Sequence, residues 1–255
     1  MTGAERIEAA LRGGAETHRP RLVPFLTAGY PSPTSFTHIL PQIAAHADVV
    51  EVGVPFSDPM ADGVTIQHAS HVALEHGVTV TWILETLREL ALDTPILLMS
   101  YLNPLLSYGP ERLARDAVAA GVCGFIVPDL PHEERELMSG PLEAAGLALV
   151  ELVTPLTAPD RLARIGASAR GFVYAVTRVG TTGGADTHLP EDLAGYLSRV
   201  RAASAAPVMA GFGIQRAEQV AALSGHADGA IVGSALIQAI GRGEDAAAFV
   251  RGLRP

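Results

Sequence analysis

Short apolar runs rich in Val, Ile and Leu alternate along this chain with longer stretches in which apolar and polar residues recur at helical spacing. Eight such runs stand out, at 21–29, 48–54, 95–101, 124–129, 147–153, 171–177, 207–213 and 228–234. Runs of this kind read as strands buried on both faces of a parallel sheet, and the amphipathic stretches between them as crossover helices. The periodicity predicts helices near 34–46, 64–76, 80–91, 110–120, 132–145, 158–168, 190–203 and 214–224, with further ones near 3–12 and 244–252. A short helix is also expected to open at SALIQAI, directly after the eighth run.

Repeated strand–helix units place the chain in the α/β class, and eight strands favour a closed (β/α)8 barrel with an extra N-terminal helix over an open doubly wound sheet. The 255 residues match the roughly 250 of one such barrel. No linker rich in Pro, Gly or Ser divides them, so residues 1–255 are expected to form one domain. Barrel chemistry sits where strands end and βα loops begin. Those positions here carry LTAGYP, VGVPFSDPMADG, MSYLNP, VPDLP, TRVGTTGG, AGFGIQ and VGSA.

Composition narrows the chemistry. Net charge is −9 and all 18 basic residues are Arg. Dispersed Arg on an acidic chain argues against nucleic acid as a partner. Without Lys there is no Schiff base with a carbonyl substrate, no internal aldimine with pyridoxal phosphate and no phosphate-loop lysine. No apolar run approaches the ~18 residues of a membrane span, and the N-terminal MTGAERIEAALRGG lacks the form of a signal peptide. A single cysteine, Cys123, permits no intramolecular disulfide and fits a reducing compartment, so a cytoplasmic protein is expected. Cys123 itself, at the edge of an apolar strand, reads as an inert buried thiol.

Glu51 interrupts the otherwise apolar DVVEVGV, and a carboxylate removed from water is costly unless it is paired or protonated. Alternation puts it on one face with Val49 and Gly53, pointing into the barrel mouth, although a structural carboxylate tied to an Arg is the competing reading. Asp58 and Asp62 come next in the same βα segment. With Glu51 they could hold a divalent metal, or they could cap the helix that begins near Val64. No His or Cys accompanies them in the loop, His68 and His71 read as ordinary helix-surface residues, and HEER at 132–135 lacks the second His of a metalloprotease site. No metal site is therefore expected.

Glycines cluster after the last strands: Gly211 and Gly213 after the seventh, Gly233 with Ser234 after the eighth. Barrels frequently build a phosphate site from these two loops and the N-terminus of a short helix. Phe25, Tyr101, Phe172, Tyr174 and Phe212 fall at or near strand ends and are expected to line the pocket. A phosphate at one end and aromatic surface at the other describe a planar apolar ring carrying a phosphorylated tail.

VPFLTAGYP, DVVEVGVPFSDPMADGVTIQ, SYLNP, GFIVPDLPHEE, GFVYAVTRVGTTG, AGFGI and GAIVGSA, running in order from about residue 21 to 240, resemble the signature segments of tryptophan synthase α subunits. The resemblance implies cleavage of indole-3-glycerol phosphate to indole and glyceraldehyde 3-phosphate, with Glu51 and Asp62 as the catalytic acids. It also implies phosphate contacts at Gly183, Gly213, Gly233 and Ser234, and a ring pocket at or near Phe25, Tyr101, Tyr174 and Phe212. Thr182 resembles the threonine that orients the aspartate, which would make the loop after strand six a lid. It further implies no cofactor in this chain and a β subunit partner that carries pyridoxal phosphate, in an α2β2 heterotetramer. The partner-facing surface would include Pro55, Asp58, Pro59, Asn103 and Pro131. Val64, Thr181 and Arg178-Val179 depart from the family pattern. A stand-alone lyase that releases free indole, or another barrel acting on a phosphosugar, are the alternatives.

Overall fold

A computed structural model describes residues 1–12, 14, 17, 19–177, 192–211 and 213–254. Its eight parallel strands succeed one another around a closed barrel. They are β1 (Arg21–Thr27), β2 (Val50–Gly53), β3 (Ile96–Met99), β4 (Val122–Ile126), β5 (Ala148–Val153), β6 (Val173–Val176), β7 (Val208–Gly211) and β8 (Gly229–Val232). Closure comes from the pairing of β8 with β1, where Leu22 aligns with Ala230 and Val23 with Ile231.

The described helices in chain order are α1 (Gly3–Leu11), α2 (Pro33–Ala44), α3 (Val64–Glu75), α4 (Val80–Leu90), α5 (Leu102–Tyr108), α6 (Pro110–Ala119), α7 (Glu136–Ala144), α8 (Pro159–Ser168), α9 (Leu193–Ala203), α10 (Ala217–Ala221), α11 (Ser234–Gly241) and α12 (Ala246–Gly252). All eight expected strands and the expected helices are present, each strand shorter than its apolar run. Three differences have local causes. α5 has no counterpart among the expected helices; Gly109, with φ of 92°, ends it and lets α6 start at once from Pro110 in a new direction. The stretch 132–145 begins as a 3-10 turn, His132–Glu134, before α7. The expected helix at 214–224 contracts to α10, because residues 213–216 are held in a loop by Gln219.

Side chains alternate across each strand. Ala148, Val150 and Leu152 of β5 belong to the interior cluster with Val23, Val49, Leu97, Cys123, Phe172, Tyr174, Met209 and Ile231, while Leu149 and Val153 pack outward beneath the helices. α1 closes the N-terminal end of the barrel. Its Ile7 and Leu11 join the interior cluster, and a Cβ on Gly3 would lie 2.5 Å from the Cys123 carbonyl oxygen. A capping box between Thr2 and Glu5 fixes where that helix starts. Among the described residues no helix is long and apolar enough to cross a membrane. The opposite, C-terminal end is left to the loops.

Candidate active site

A cleft of about 510 Å³, its open mouth included, lies at the C-terminal ends of the strands. Strand residues Phe25, Glu51, Met99, Tyr174 and Ile231 form its floor and walls, Asp62 and Ile66 close one side, and Gly213–Gln215 with Gly233–Ala235 close the other. Two glycines make room for the rings. A Cβ on Gly53 would lie 2.5 Å from the Phe25 ring, and one on Gly211 would overlap the Tyr174 hydroxyl.

Glu51 points inward from the middle of β2, only 1% exposed. Its Oε2 is buried and has no hydrogen-bond partner among the described residues. Burial, with the charge of Asp62 adding to it, pushes the carboxyl up to about 8. The contrast with Glu151 is informative, because that residue also interrupts an apolar strand and is also buried. Glu151 faces outward and is fully engaged. It accepts from Ser168 Oγ at 3.2 Å, and it pairs with His132 Nδ1 at 2.5 Å and Arg135 Nε at 3.2 Å. Glu151 belongs to a structural ion-pair network; among the described residues Glu51 has no such partner.

Asp62 sits just before α3. The residue that caps that helix is Gly63, with no side-chain hydrogen bond to the first turn, so Asp62 does not serve as the cap. Instead the Tyr101 hydroxyl donates to Asp62 Oδ2 at 3.2 Å and accepts from the Ala61 N–H at 2.8 Å. Burial raises the Asp62 carboxyl to about 6, with the Tyr101 hydrogen bond working against that rise. Asp58 is exposed and accepts from Ser57 Oγ, away from the cleft lining. His71 pairs with Glu75 on the helix surface and His68 packs edge-on against Tyr30. Among the described residues no three His, Cys, Asp or Glu side chains converge as a metal set.

The far end of the cleft is formed by two loops and a helix N-terminus, an arrangement that can receive an anion. Gly233 precedes the first turn of α11, whose N–H groups have no side-chain cap, and Gly233, Ser234 and Ala235 all line the cleft. Free N–H groups and the helix dipole both favour negative charge there. Gly213 faces them from the β7 loop with φ of 83°, a conformation that suits glycine. Gln219 steadies this loop, accepting from the Gln215 and Arg216 N–H groups and donating to the Gly213 carbonyl.

Comparison with known proteins agrees with this geometry. The family model for "Tryptophan synthase alpha chain" matches residues 12–251. The chain is 46% identical over 251 residues to the tryptophan synthase alpha chain of Nitratidesulfovibrio vulgaris strain DP4, covering 97% of each. It is also 46% identical to that of Roseiflexus castenholzii, covering 92% of this chain and 94% of the relative. The chain belongs to the tryptophan synthase alpha chain family. Among solved structures, Mycobacterium tuberculosis tryptophan synthase superposes with a TM-score of 0.89 at 35% identity, covering 97% of this chain and 96% of that one. The Legionella pneumophila alpha subunit superposes at 0.85 and 36% identity, covering 98% and 97%. The protein is thus a lyase of tryptophan biosynthesis that cleaves indole-3-glycerol phosphate.

In this alpha chain Phe25, Glu51, Asp62, Tyr174, Gly213, Gly233 and Ser234 come together around one cleft. Tyr101 lines an adjoining compartment with Asp62, Thr27 and Ser100. Gly211 lies behind Tyr174, its carbonyl taken by the N–H and hydroxyl of Thr177, so it shapes the cleft from outside. Thr182, Gly183 and Phe212 lie outside the described residues, as do Arg178, Val179 and Thr181. Phe172 is not a mouth residue. It precedes β6, at the N-terminal end, and is fully buried in the barrel interior with its ring 6.3 Å from that of Tyr174. A ring at the start of a strand faces the same way as one two residues on, yet lies at the wrong depth. Ile66, Met99, Ile214, Gln215 and Ile231 line the cleft without having been singled out by sequence. Alternation from Glu51 across the sheet could have found Met99 and Ile231; nothing in the pattern marks the rest.

Proposed function

We propose that Glu51 and Asp62 divide the acid–base work of the lyase reaction. The observation that carries this reading is a fully buried Glu51 oxygen without a partner among the described residues, in a cleft shared with a second carboxylate that is held at a lower pKa. Near neutral pH Glu51 carries its proton and Asp62 is largely ionised, so the pair offers one acid and one base.

Breaking the bond between indole C3 and the glycerol side chain needs an electron sink. A chain without Lys has no imine to offer, and the indole ring serves instead. Glu51 donates its proton to C3, which turns the ring into an iminium-like acceptor, while Asp62 takes the hydrogen bond of the ring N–H and stabilises the positive charge that develops there. The Glu51 carboxylate so formed removes the proton of the side-chain hydroxyl adjacent to C3. The carbon–carbon bond then breaks, its electrons restore the aromatic ring, and indole and glyceraldehyde 3-phosphate leave with Glu51 reprotonated. Phe25, Tyr174 and the Ile side chains flank the ring, and the Gly213 loop with the start of α11 receives the phosphate. Thr182, Gly183 and Phe212 are assigned to the same substrate site, which Gly211 shapes from behind Tyr174.

The loops around the mouth are the docking surface for a tryptophan synthase β subunit, within an α2β2 complex in the cytoplasm. That surface is apolar for a free monomer. Met60 is 73% exposed and Leu156 77%, beside exposed Asp58, Asn103 and Pro131. Pro55, expected in the same surface, is buried and so is not part of it. Pyridoxal phosphate belongs to the partner; the cleavage half uses none. Purified chain supplied with indole-3-glycerol phosphate should form indole, faster when a cognate β subunit is added and with co-elution of the two on gel filtration. Fast cleavage unaffected by the β subunit, without co-elution, would make the protein a stand-alone lyase. No indole under either condition would refute the assignment of the cleft.

A further inference from the structure

Tyr101 does not line the cleft that holds Glu51, yet it is 4% exposed and its hydroxyl makes two hydrogen bonds, accepting from Ala61 N–H and donating to Asp62 Oδ2. Its ring stacks on Phe56, centroids 5.2 Å apart, so ring and hydroxyl both hold the segment that carries Asp62. The backbone of Tyr101 is held in turn from β4. Tyr101 is the residue before α5, and Asp129 Oδ1 accepts from the N–H of Leu102, the first residue of that helix, at 2.9 Å. Asp129 stands in a tight turn closed by Leu130 N–H to the Val127 carbonyl at 3.1 Å. Three residues on, His132 is tied to Glu151 of β5. A series of contacts therefore runs from the loop after the fourth strand to the Asp62 carboxylate.

We propose that Tyr101 is a positioning residue for Asp62, and that Asp129 acts through it by fixing the start of α5. This rests on the reading of Asp62 as acceptor of the indole N–H. A donor on Oδ2 pins the carboxylate plane and leaves Oδ1, which has no partner among the described residues, for the substrate. It also favours the ionised form, the one that can accept a proton or hydrogen bond.

The experiment is steady-state indole formation by Tyr101→Phe, Asp129→Ala, Asp129→Asn and Asp62→Asn across pH, using full-length chain with the β subunit present. Tyr101→Phe should lower kcat by about tenfold or more, the scale of a hydrogen bond to a charged group, with KM within about twofold of wild type. Its acid limb in kcat/KM should move to higher pH, because the donor that lowers the Asp62 pKa is gone. Asp129→Ala should shift in the same direction by less. Asp129→Asn should recover, since an amide oxygen still accepts the Leu102 N–H. A raised KM with unchanged kcat would make Tyr101 a substrate contact and overturn the proposal, as would an unmoved acid limb. If Tyr101→Phe does not fold, the two Asp129 variants decide: equal behaviour of Ala and Asn refutes the relay. Wild-type turnover by Asp62→Asn would fail the reading of Asp62 itself, whatever the others show.

Discussion

Glu51 is retained at a cost in stability. A carboxyl that is protonated to about pH 8 in the fold, but only to its ordinary 4.5 in the unfolded chain, binds more protons when native between those values. Stability therefore falls as pH rises through that window and is recovered below it. Replacing the carboxyl by an amide of the same shape removes the titration. Glu51→Gln should be more stable than wild type at pH 8 by a few kcal/mol, on the order expected for a shift of this size, and the difference should vanish near pH 4. Denaturant melts at both pH values test this; equal stability at pH 8 would mean Glu51 has a partner that compensates its charge. The sequence showed that Glu51 needed compensation but could not show whether it had any. Glu151, equally conspicuous within LALVELV, is satisfied by residues 17 and 19 positions away that only the fold brings to it. Nearness to a strand end does not give depth: Phe25 and Tyr174 line the cleft, whereas Phe172, two positions before Tyr174, lies buried deep in the barrel.

Within each βα unit, function rests on the loop at the end of the strand. The strands themselves were legible because a parallel barrel buries both faces and writes continuous apolar runs. Loops write no such pattern. α5 hid within LNPLLSYG, a segment too short for helical periodicity and interrupted by Pro104, although that proline falls in the first turn where it costs little. The proposed phosphate end is marked in the sequence by its glycines, and the described ones, Gly213 and Gly233, sit in the two loops that line that end of the cleft. A Cβ at Gly233 would lie 3.2 Å from the Phe25 ring and stand at the mouth of the α11 N-terminus. Gly233→Val should raise KM for indole-3-glycerol phosphate by about tenfold or more, as expected for loss of charge-assisted hydrogen bonds, and weaken inhibition by glycerol 3-phosphate in parallel. A raised KM with unchanged inhibition by glycerol 3-phosphate would assign the effect to Phe25 and the ring pocket instead of the phosphate.

Across the whole molecule the two ends of the barrel are specialised. The N-terminal end is sealed by α1, where Leu11 is fully buried against the interior cluster. Leu11→Ala should cost roughly 2–5 kcal/mol of stability while leaving kcat for cleavage unchanged in the folded fraction; a large fall in kcat would mean the barrel transmits strain along its length. The C-terminal end keeps its two carboxylates at different protonation states, and the proposed division of acid and base depends on that difference. The most direct test is the pH dependence of kcat/KM for indole formation, run on wild type and on Glu51→Gln. Wild type should give a bell, rising through about pH 6 as Asp62 ionises and falling through about pH 8 as Glu51 loses its proton. The folded Glu51→Gln protein should bind substrate but turn over at least ~10²-fold more slowly at every pH. A folded Glu51→Gln enzyme that forms indole at the wild-type rate would contradict the assignment of Glu51 as the acid.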